Sequence, residues 1–428
     1  MTPLRIAALS VVAVATLLGC GGEANVPPPG EVVKSSKARI TQAAPQADVD
    51  AAVDGATTFA FDVYRKLPAT RENTAFSPYS VSVALSMTYP GARGTTRDAF
   101  EDVLHVTLPE DRYHRAMNSI DAALQSRGQG AQGKDGRPFR LRINNQLFGQ
   151  RDQHFETPFL DTLAAEYGAG MRLLDFQAKP EPSRKAINDW VSTNTEKLIP
   201  ELLKEGTITS DTVLALVNTL YFNAAWKTKF DHDATQDGTF TRRDGSTTQV
   251  PMMSKESMAV NYGTLDGVEV LELPYSGDEV SMVLLVPPAG KLSELEQSLD
   301  GGKVRAFIGA LQERNVGVRM PKFEARAQTD LKDVLSALGL GVAFSGDADL
   351  SGMTGQKELA LTAVVHEAVV KTDEDGTEAA AATAVVAGRT SIPEYIEVDR
   401  AFVYLIRDRA TGALLFIGRI GDPGASGS

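Results

Sequence analysis

The sequence is poor in cysteine and in positive charge. Its 428 residues include one cysteine, Cys20, so no intramolecular disulfide can form and the fold must be stabilised by burial of a core. Lys and Arg number 43 against 55 Asp and Glu, which gives a formal net charge of -12. A balance of this sign argues against a general nucleic-acid-binding protein, which would carry a basic surface.

The sequence also lacks the short motifs of common enzymes. Its five histidines stand at no metal-binding spacing, and no nucleophile elbow, Ser-x-x-Lys, P-loop or dinucleotide fingerprint occurs. We therefore expect a protein that is not an enzyme and that uses no metal ion and no cofactor.

The amino-terminal segment has the pattern of an export signal. A single cation, Arg5, precedes an apolar run over residues 6–18, which is too short to span a bilayer comfortably. The following Leu17-Leu18-Gly19-Cys20 resembles the lipobox of bacterial lipoproteins, in which the cysteine thiol takes the lipid. We predict a signal peptide over residues 1–19 and lipidation at Cys20. An ordinary secretory signal with an incidental cysteine is the alternative.

These signals predict an exported bacterial lipoprotein that is anchored to a membrane in the periplasm or at the cell surface, with release from the membrane as an alternative. Residues 20–46, rich in Pro, Gly, Ala, Ser and Gln, are predicted to be the lipidated cysteine and a flexible tether. Residues 47–423 contain no second linker and no repeat, which predicts a single domain, followed by a disordered tail over 424–428. Within the domain, the Gly-rich stretch 128–136 is predicted to be a flexible loop.

The remaining composition is that of a globular protein, with 43% hydrophobic and 23% charged residues. Early segments have helical spacing, as at Phe59, Val63 and Leu67, whereas the runs AFVYLIRD and ALLFIGRI near the carboxyl terminus are typical of a β-hairpin. Helices early and strands late predict an α+β fold built on large sheets.

Six segments, in order along the chain, resemble the serpins. They correspond to the second helix and its Gly-Ala-x-Gly-x-Thr turn, the helix that crosses the main sheet, the central strand, the segment before the mobile strand, the mobile strand with its hinge, and the carboxyl-terminal hairpin. In that order they are NTAFSPYSVSVALSMTYPGARGTTRDAFEDVL (73–104), INDWVSTNTEKLIPELL (187–203), LVNTLYFNAAWKTKF (216–230), MPKFEARAQTDLKDVLSALGLGVAFSGDADLSGM (320–353), VVHEAVVKTDEDGTEAAAATA (364–384) and VDRAFVYLIRDRATGALLFIGRIGDP (398–423). Ala401 departs from the pattern, because the family usually has Pro there.

The resemblance implies a serpin fold of three β-sheets and about nine helices, with an exposed reactive-centre loop. It implies a monomeric inhibitor whose partner is a target protease, of the serine class or alternatively the cysteine class. The protease cuts the loop, and the freed strand inserts into the main sheet before the acyl-enzyme is hydrolysed. The alternative is a non-inhibitory serpin-fold lipoprotein that acts as a carrier, chaperone or envelope scaffold.

The resemblance assigns a hinge to the start of the mobile strand. Its residues are Glu374, Gly376, Thr377, Glu378, Ala379, Ala380, Ala381 and Ala382. Strand alternation from Thr377 places Ala379, Ala381, Thr383, Val385 and Ala387 on the inward face with it, and none of these is charged. We therefore predict that Thr377 to Ala387 can insert into the sheet without burying a charge.

Two positions for the cut remain open. An ungapped alignment from the hinge and from Phe402 predicts Thr390–Ser391, which suits an elastase-like pocket for small side chains. The resemblance of AVVAGRTS to the loops of Arg-specific inhibitors predicts Arg389–Thr390 instead, and an exposed Arg suits an acidic pocket. Of the two, we prefer Arg389–Thr390.

Two further groups of residues follow from the resemblance. Ser77, Ser80, Asn218 and His366 correspond to the polar shutter beneath the main sheet, although each could instead be a separately satisfied core residue. Trp226 and Lys227 correspond to the breach, the region where insertion starts, although Trp226 could simply pack in the core.

Overall fold

Ten α-helices and sixteen β-strands make up the regular structure of residues 26–377 and 395–425, which are the residues that the computed structural model describes. The helices are α1 (Gln46–Lys66), α2 (Pro78–Thr88), α3 (Gly94–Val103), α4 (Glu110–Gln125), α5 (Thr157–Tyr167), α6 (Pro180–Asn194), α7 (Leu292–Ser298), α8 (Gly301–Gly309), α9 (Lys332–Ala337) and α10 (Ser351–Thr354). The strands are β1 (Glu31–Val33), β2 (Asn73–Phe76), β3 (Arg140–Gln150), β4 (Met171–Leu174), β5 (Leu214–Ala225), β6 (Asp231–Thr241), β7 (Thr247–Leu265), β8 (Val268–Pro274), β9 (Val280–Val286), β10 (Gln312–Pro321), β11 (Phe323–Asp330), β12 (Ala363–Asp373), β13 (Gly376–Thr377), β14 (Tyr395–Glu397), β15 (Phe402–Asp408) and β16 (Leu414–Ile420).

The main sheet has seven strands in the order β1-β4-β3-β5-β13-β12-β11. All twelve residues of β5 are buried, as expected for a central strand with an apolar sequence that is covered on both faces. The main sheet therefore has packed layers on either side.

The second sheet has nine strands, eight of them in the order β14-β10-β7-β8-β9-β15-β16-β2, with β6 paired to β7. The predicted third sheet corresponds to β6, β10, β14 and the first part of β7. The 19-residue strand β7 connects this group to β8 by continuous pairing, so the strands form one bent sheet in the described residues.

The main core lies between the two sheets and includes α2. Every residue of α2 is buried, because its sequence is small or apolar on all sides. Pro78 occupies the first turn of this helix, where a missing backbone donor has no cost.

A separate apolar cluster covers the outer face of the main sheet. Ile187 and Trp190 of α6 pack there with Phe148 of β3, Val217 of β5 and Val365 of β12. The neighbouring residues of these strands, such as Leu147, Leu216 and Val364, face the main core instead. Helix α6 thus lies across both β5 and β12.

The predicted tether does not extend to residue 46. Residues 31–33 form β1, which pairs antiparallel with β4 at the edge of the main sheet. Further along, the Ile40 amide donates to the Ala165 carbonyl at 2.8 Å, and Arg39 pairs with Asp121 at 2.5 Å. The prediction of a flexible tether is wrong where these contacts occur, because the edge of β4 and the helices α4 and α5 supply partners that composition does not reveal. We call residues 26–33 the amino-terminal strap.

The Gly-rich stretch 128–136 is also held in place, contrary to the prediction of a flexible loop. The Gly133 amide donates to the Arg137 carbonyl at 2.7 Å, and the Lys134 amide donates to the Asn223 side chain at 2.8 Å. The loop is therefore fixed to the end of β5.

Candidate loop-insertion site

The main sheet is divided between β5 and β12. Residues 215–219 of β5 pair parallel with residues 363–367 of β12. At the other end, the two residues of β13 lie between the same strands and pair antiparallel with both. In the described part of the chain, no pairing joins residues 220–223 of β5 to residues 368–371 of β12. We call this stretch the parting region.

Thr377, the second residue of β13, has its side chain in the core. It is 2% exposed, and its hydroxyl lies 2.7 Å from the hydroxyl of Tyr275. Its neighbour in the ladder is Ala224, which faces the same core. Thr377 therefore has the inward orientation that alternation assigns to it.

Gly376 is required by the backbone geometry of the hinge. Its φ of +149° is rarely adopted by residues with a side chain, and an added Cβ would lie 2.1 Å from the Ala224 carbonyl oxygen. Only glycine fits between the two flanking strands at this position.

The turn before β13 carries two buried acids with basic partners. Glu374 contacts the Lys322 ammonium and the Thr235 hydroxyl, each at 2.5 Å, and Asp375 contacts the Lys229 ammonium at 2.9 Å. Burial alone would raise the pKa of Glu374, but the hydrogen bonds from Lys322 and Thr235 outweigh it and hold this pKa below its ordinary value. The carboxylate of Glu374 is therefore charged near neutral pH and fastens the turn to β6 and to the residue after β10.

Trp226 is in direct contact with the hinge turn. Its indole N–H donates to the Asp373 carbonyl at 2.9 Å, and its backbone N–H donates to the Asp375 carbonyl at 2.9 Å. Its ring stacks on Tyr275 at 4.6 Å between centroids. Lys227, in contrast, pairs with Asp278 and its side chain is half exposed. Of the two predicted breach residues, only Trp226 contacts the turn through its side chain.

Lys134 is a residue of this region that the sequence did not suggest. Its side chain is fully buried, and its ammonium lies 2.5 Å from the Asp373 carboxylate at the end of β12. Burial lowers the pKa of Lys134, and the charge of Asp373 opposes that shift. The contact links the loop over β5 to β12, across the top of the parting region. No local pattern marks a lysine in a Gly-rich stretch as buried.

Three of the four predicted shutter residues meet below the parting region. The Ser77 backbone N–H donates to His366 Nε2 at 3.0 Å, so His366 carries its proton on Nδ1, which donates to Asn218 Oδ1 at 2.6 Å. Burial lowers the pKa of His366 to about 3, so the ring is neutral near neutral pH. The Ser77 hydroxyl and the Asn218 amide nitrogen have no hydrogen-bond partner among the described residues.

Ser80 joins this group only indirectly. Its hydroxyl donates to the Asn145 side chain at 3.0 Å, and Asn145 on β3 is the ladder partner of Asn218 on β5. Asn145 was missed because an Asn on a strand gives no sign of which polar residue lies opposite.

The remaining predicted site residues lie outside the described residues. They are Cys20, Glu378, Ala379, Ala380, Ala381, Ala382, Arg389, Thr390 and Ser391. Within residues 26–377 and 395–425, no group of three or more His, Cys, Asp and Glu side chains is placed to hold a metal ion. Over the same residues, no helix has both the length and the apolar character needed to cross a membrane.

Comparison with known proteins gives consistent results. The family model described as Serpin (serine protease inhibitor) matches residues 54–423. The chain is 37% identical over 381 residues to a leukocyte elastase inhibitor of Bos taurus, with 86% of this chain and 98% of that protein covered. Its structure is similar to that of uncleaved ovalbumin, with a TM-score of 0.77, 25% identity, and 87% and 100% of the two chains covered. It is also similar to human thyroxine-binding globulin in complex with thyroxine, with a TM-score of 0.79, 27% identity, and 88% and 100% covered. These likenesses confirm the predicted fold class.

Proposed function

Because the chain belongs to the serpin family of serine protease inhibitors, we propose that it traps a serine protease as a suicide substrate. Cleavage near Arg389-Thr390-Ser391 frees the preceding segment, and Thr377 to Ala387 then inserts between β5 and β12. Insertion carries the acyl-enzyme away from the site of cleavage before water can release it. A cysteine protease, which also forms an acyl-enzyme, is an alternative target.

One observation carries this proposal: β13 already pairs with both β5 and β12, and Thr377 is already buried. The inserting strand therefore has a first ladder position and a fixed register from which to extend. Beyond β13, no pairing among the described residues joins β5 to β12 along the parting region, which leaves a place for an added strand in the proposed mechanism.

The residue types along the loop agree with insertion. The inward positions after Thr377 are small or apolar, so burial of this face does not require desolvation of a charge. Thirteen residues of extended strand, from 377 to 389, reach about 40 Å, which is enough to move a bound protease across the molecule.

We assign the cluster of Ser77, Asn218 and His366 to control of the barrier to insertion. It lies where β5 and β12 pair directly, and these strands must separate for the new strand to pass. The Ser77 hydroxyl and the Asn218 amide nitrogen, which have no partner within residues 26–377 and 395–425, can form new hydrogen bonds once the strands have moved.

Export, membrane attachment through Cys20 and a monomeric state are part of the same proposal. Export and attachment depend on the lipobox-like sequence, in which Cys20 is the chain's single cysteine, and the monomeric state follows from the family resemblance. The body would then lie close to a membrane surface and meet proteases outside the cytoplasm.

A second candidate function is that of a non-inhibitory carrier. The likeness to thyroxine-binding globulin in complex with thyroxine favours it. The uncharged inward face of the loop favours inhibition instead, because a carrier has no need to bury that face.

Incubation with trypsin, followed by denaturing gel electrophoresis and mass spectrometry, tests the proposal. We expect an SDS-stable complex and a new amino terminus at Thr390. Arg389→Ala should abolish the complex with trypsin, whereas Thr390→Ala, the matched control, should retain it.

An elastase-type protease provides the second arm of this experiment. A complex with that enzyme and a new terminus at Ser391 would assign the bond to Thr390–Ser391. Cleavage by serine and cysteine proteases without any complex, and without a gain in thermal stability after cleavage, would contradict inhibition and favour the carrier.

A further inference from the structure

The amino-terminal strap is bound at both ends. At one end, the Val26 N–H donates to Asn194 Oδ1 at 2.9 Å, and the Val26 carbonyl accepts from the Trp190 indole at 2.8 Å and from the Asn194 amide at 3.0 Å. At the other end, residues 31–33 pair with residues 171–173 of β4. The strap therefore connects the last turn of α6 to the edge of the main sheet.

Between these attachments the strap passes over β3. A cavity of 300 Å³ remains beneath it, lined by Ile143 and Gln146 among others. Val26 is 42% exposed and Val32 is 49% exposed, so these two valines of the strap contribute little apolar burial. Its hold on the body therefore comes from the hydrogen bonds at its ends.

The helix that the strap holds stands in the way of an inserting strand. Through Ile187 and Trp190, α6 packs on Val217 of β5 and Val365 of β12, which flank the line along which the strands separate. Alternate side chains of an inserted strand face outward, toward α6. The helix must therefore move away from the sheet while the strand passes beneath it.

We propose that residues 26–33 are a built-in ligand of α6 that resists this movement and slows strand insertion. The strap bonds α6 on one side and β4 on the other, so α6 cannot lift without loss of the contacts at Val26 or of the β1–β4 ladder. The binding site is the carboxyl-terminal turn of α6, with Trp190 and Asn194 as its polar groups, and the occupant is the chain's own amino-terminal segment. This inference rests on the proposed inhibitory function.

The consequence is control over premature insertion. In an uncleaved molecule, insertion of the loop beyond β13 would consume the inhibitor, so a restraint on α6 preserves activity. The strap follows closely after Cys20, the proposed site of the lipid anchor. A change at the anchor that releases the strap from α6 would therefore also make strand insertion into the main sheet easier.

The test uses two variants of the full chain that each remove one hydrogen bond. Val26→Pro removes the donor to Asn194, and proline fits the extended conformation favoured before Pro27. Trp190→Phe removes the indole donor and keeps an aromatic ring in the cluster. Asp189→Ala, at an exposed position of the same helix, is the matched control.

Each protein is held uncleaved about 10 °C below its unfolding midpoint, and samples are tested over time for complex formation with trypsin and for melting temperature. We expect the double variant, Val26→Pro with Trp190→Phe, to lose inhibitory capacity and gain thermal stability about tenfold faster than the wild type. This ratio corresponds to roughly 1.4 kcal/mol, which is within the net contribution expected of the two hydrogen bonds that are removed. Asp189→Ala should convert at the wild-type rate.

Two outcomes separate the possible failures. If the wild type forms complexes and gains stability on cleavage, but all five proteins convert at equal rates, zero included, the role of the strap is refuted and the inhibitory function stands. If the wild type forms no complex with any protease and gains no stability on cleavage, the inhibitory function itself fails. If Trp190→Phe does not fold, Val26→Pro alone decides the question, because the Val26→Pro variant leaves the sequence of α6 unchanged.

Discussion

A charge at Thr377 should convert the inhibitor into a substrate. In Thr377→Glu the new carboxyl replaces a side chain that is 2% exposed and contacts Tyr275. The least costly way to bury it at pH 7 is to protonate it. Relative to an ordinary Glu pKa of about 4.3, this costs about 1.4 kcal/mol per pH unit, or roughly 4 kcal/mol. Because position 377 is buried before cleavage, the variant should release β13 from the uncleaved sheet. Insertion must then overcome up to this cost, which slows it by as much as about a thousandfold, so hydrolysis of the acyl-enzyme should precede trapping.

The assay is the ratio of SDS-stable complex to cleaved inhibitor after reaction with trypsin. Thr377→Val, the matched control, loses the hydrogen bond to Tyr275, which is worth about 1 kcal/mol, and should still form the complex. The nicked Thr377→Glu protein should melt like the uncleaved form at pH 7. It should gain stability at pH 5, where protonation costs only about 1 kcal/mol. Complex formation by Thr377→Glu at the wild-type yield would refute the proposed burial of this face.

Three further predictions concern residues around the parting region. Burial lowers the pKa of His366 to about 3 from an ordinary 6.5, so between these values the unfolded chain binds a proton that the folded protein does not. The stability contributed by the neutral ring is therefore complete above pH 6.5 and declines as the pH falls toward 3. His366→Gln should therefore make the loss of unfolding free energy from pH 6 to pH 4, measured in urea, shallower by about 1.4 kcal/mol per pH unit, and an unchanged slope would contradict this. Lys134→Met removes the cationic partner of the Asp373 carboxylate and should lower the unfolding free energy by about 2 kcal/mol. Adding Asp373→Asn should restore most of it, and no recovery in the double variant would argue against the ion pair. Gly376→Ala should expel β13 and speed proteolysis at the hinge, while Gly346→Ala, where an added Cβ meets nothing within 4 Å, should not; equal rates in limited proteolysis would show that the hinge tolerates a side chain.

The parts of the site that could be predicted from the sequence are those whose contacts follow from the family motifs or from the alternation of side chains along a strand. Thr377, the first inward position assumed for the mobile strand, is buried, and the resemblance placed Ser77, Asn218 and His366 in one cluster. Such residues are specified by the fold as a whole, so family motifs locate them even when they are distant in sequence.

The features that were missed depend on single long-range contacts. The strap has the composition of a linker, and only the free edge of β4 and the side chains of Trp190 and Asn194 give it a fixed position. Lys134 likewise lies in a Gly-rich stretch, and its burial follows from the position of Asp373 some 240 residues away. Local composition contains no information on partners of this kind.

The direction of the strands beside β13 bears on whether insertion can be reversed, and so on whether one molecule could trap more than one protease. β5 and β12 run parallel where they pair directly, whereas β13 runs antiparallel to each of them. Along the parting region a lengthening β13 would add two perpendicular ladders without breaking one. Further on, it would exchange the slanted, weaker parallel ladder of residues 215–219 and 363–367 for two perpendicular, stronger ones. The exchange favours one direction only, and to reverse it two ladders would have to break together. Under the proposed mechanism, one molecule is therefore consumed for each protease captured, and its supply would set the amount of protease that can be removed.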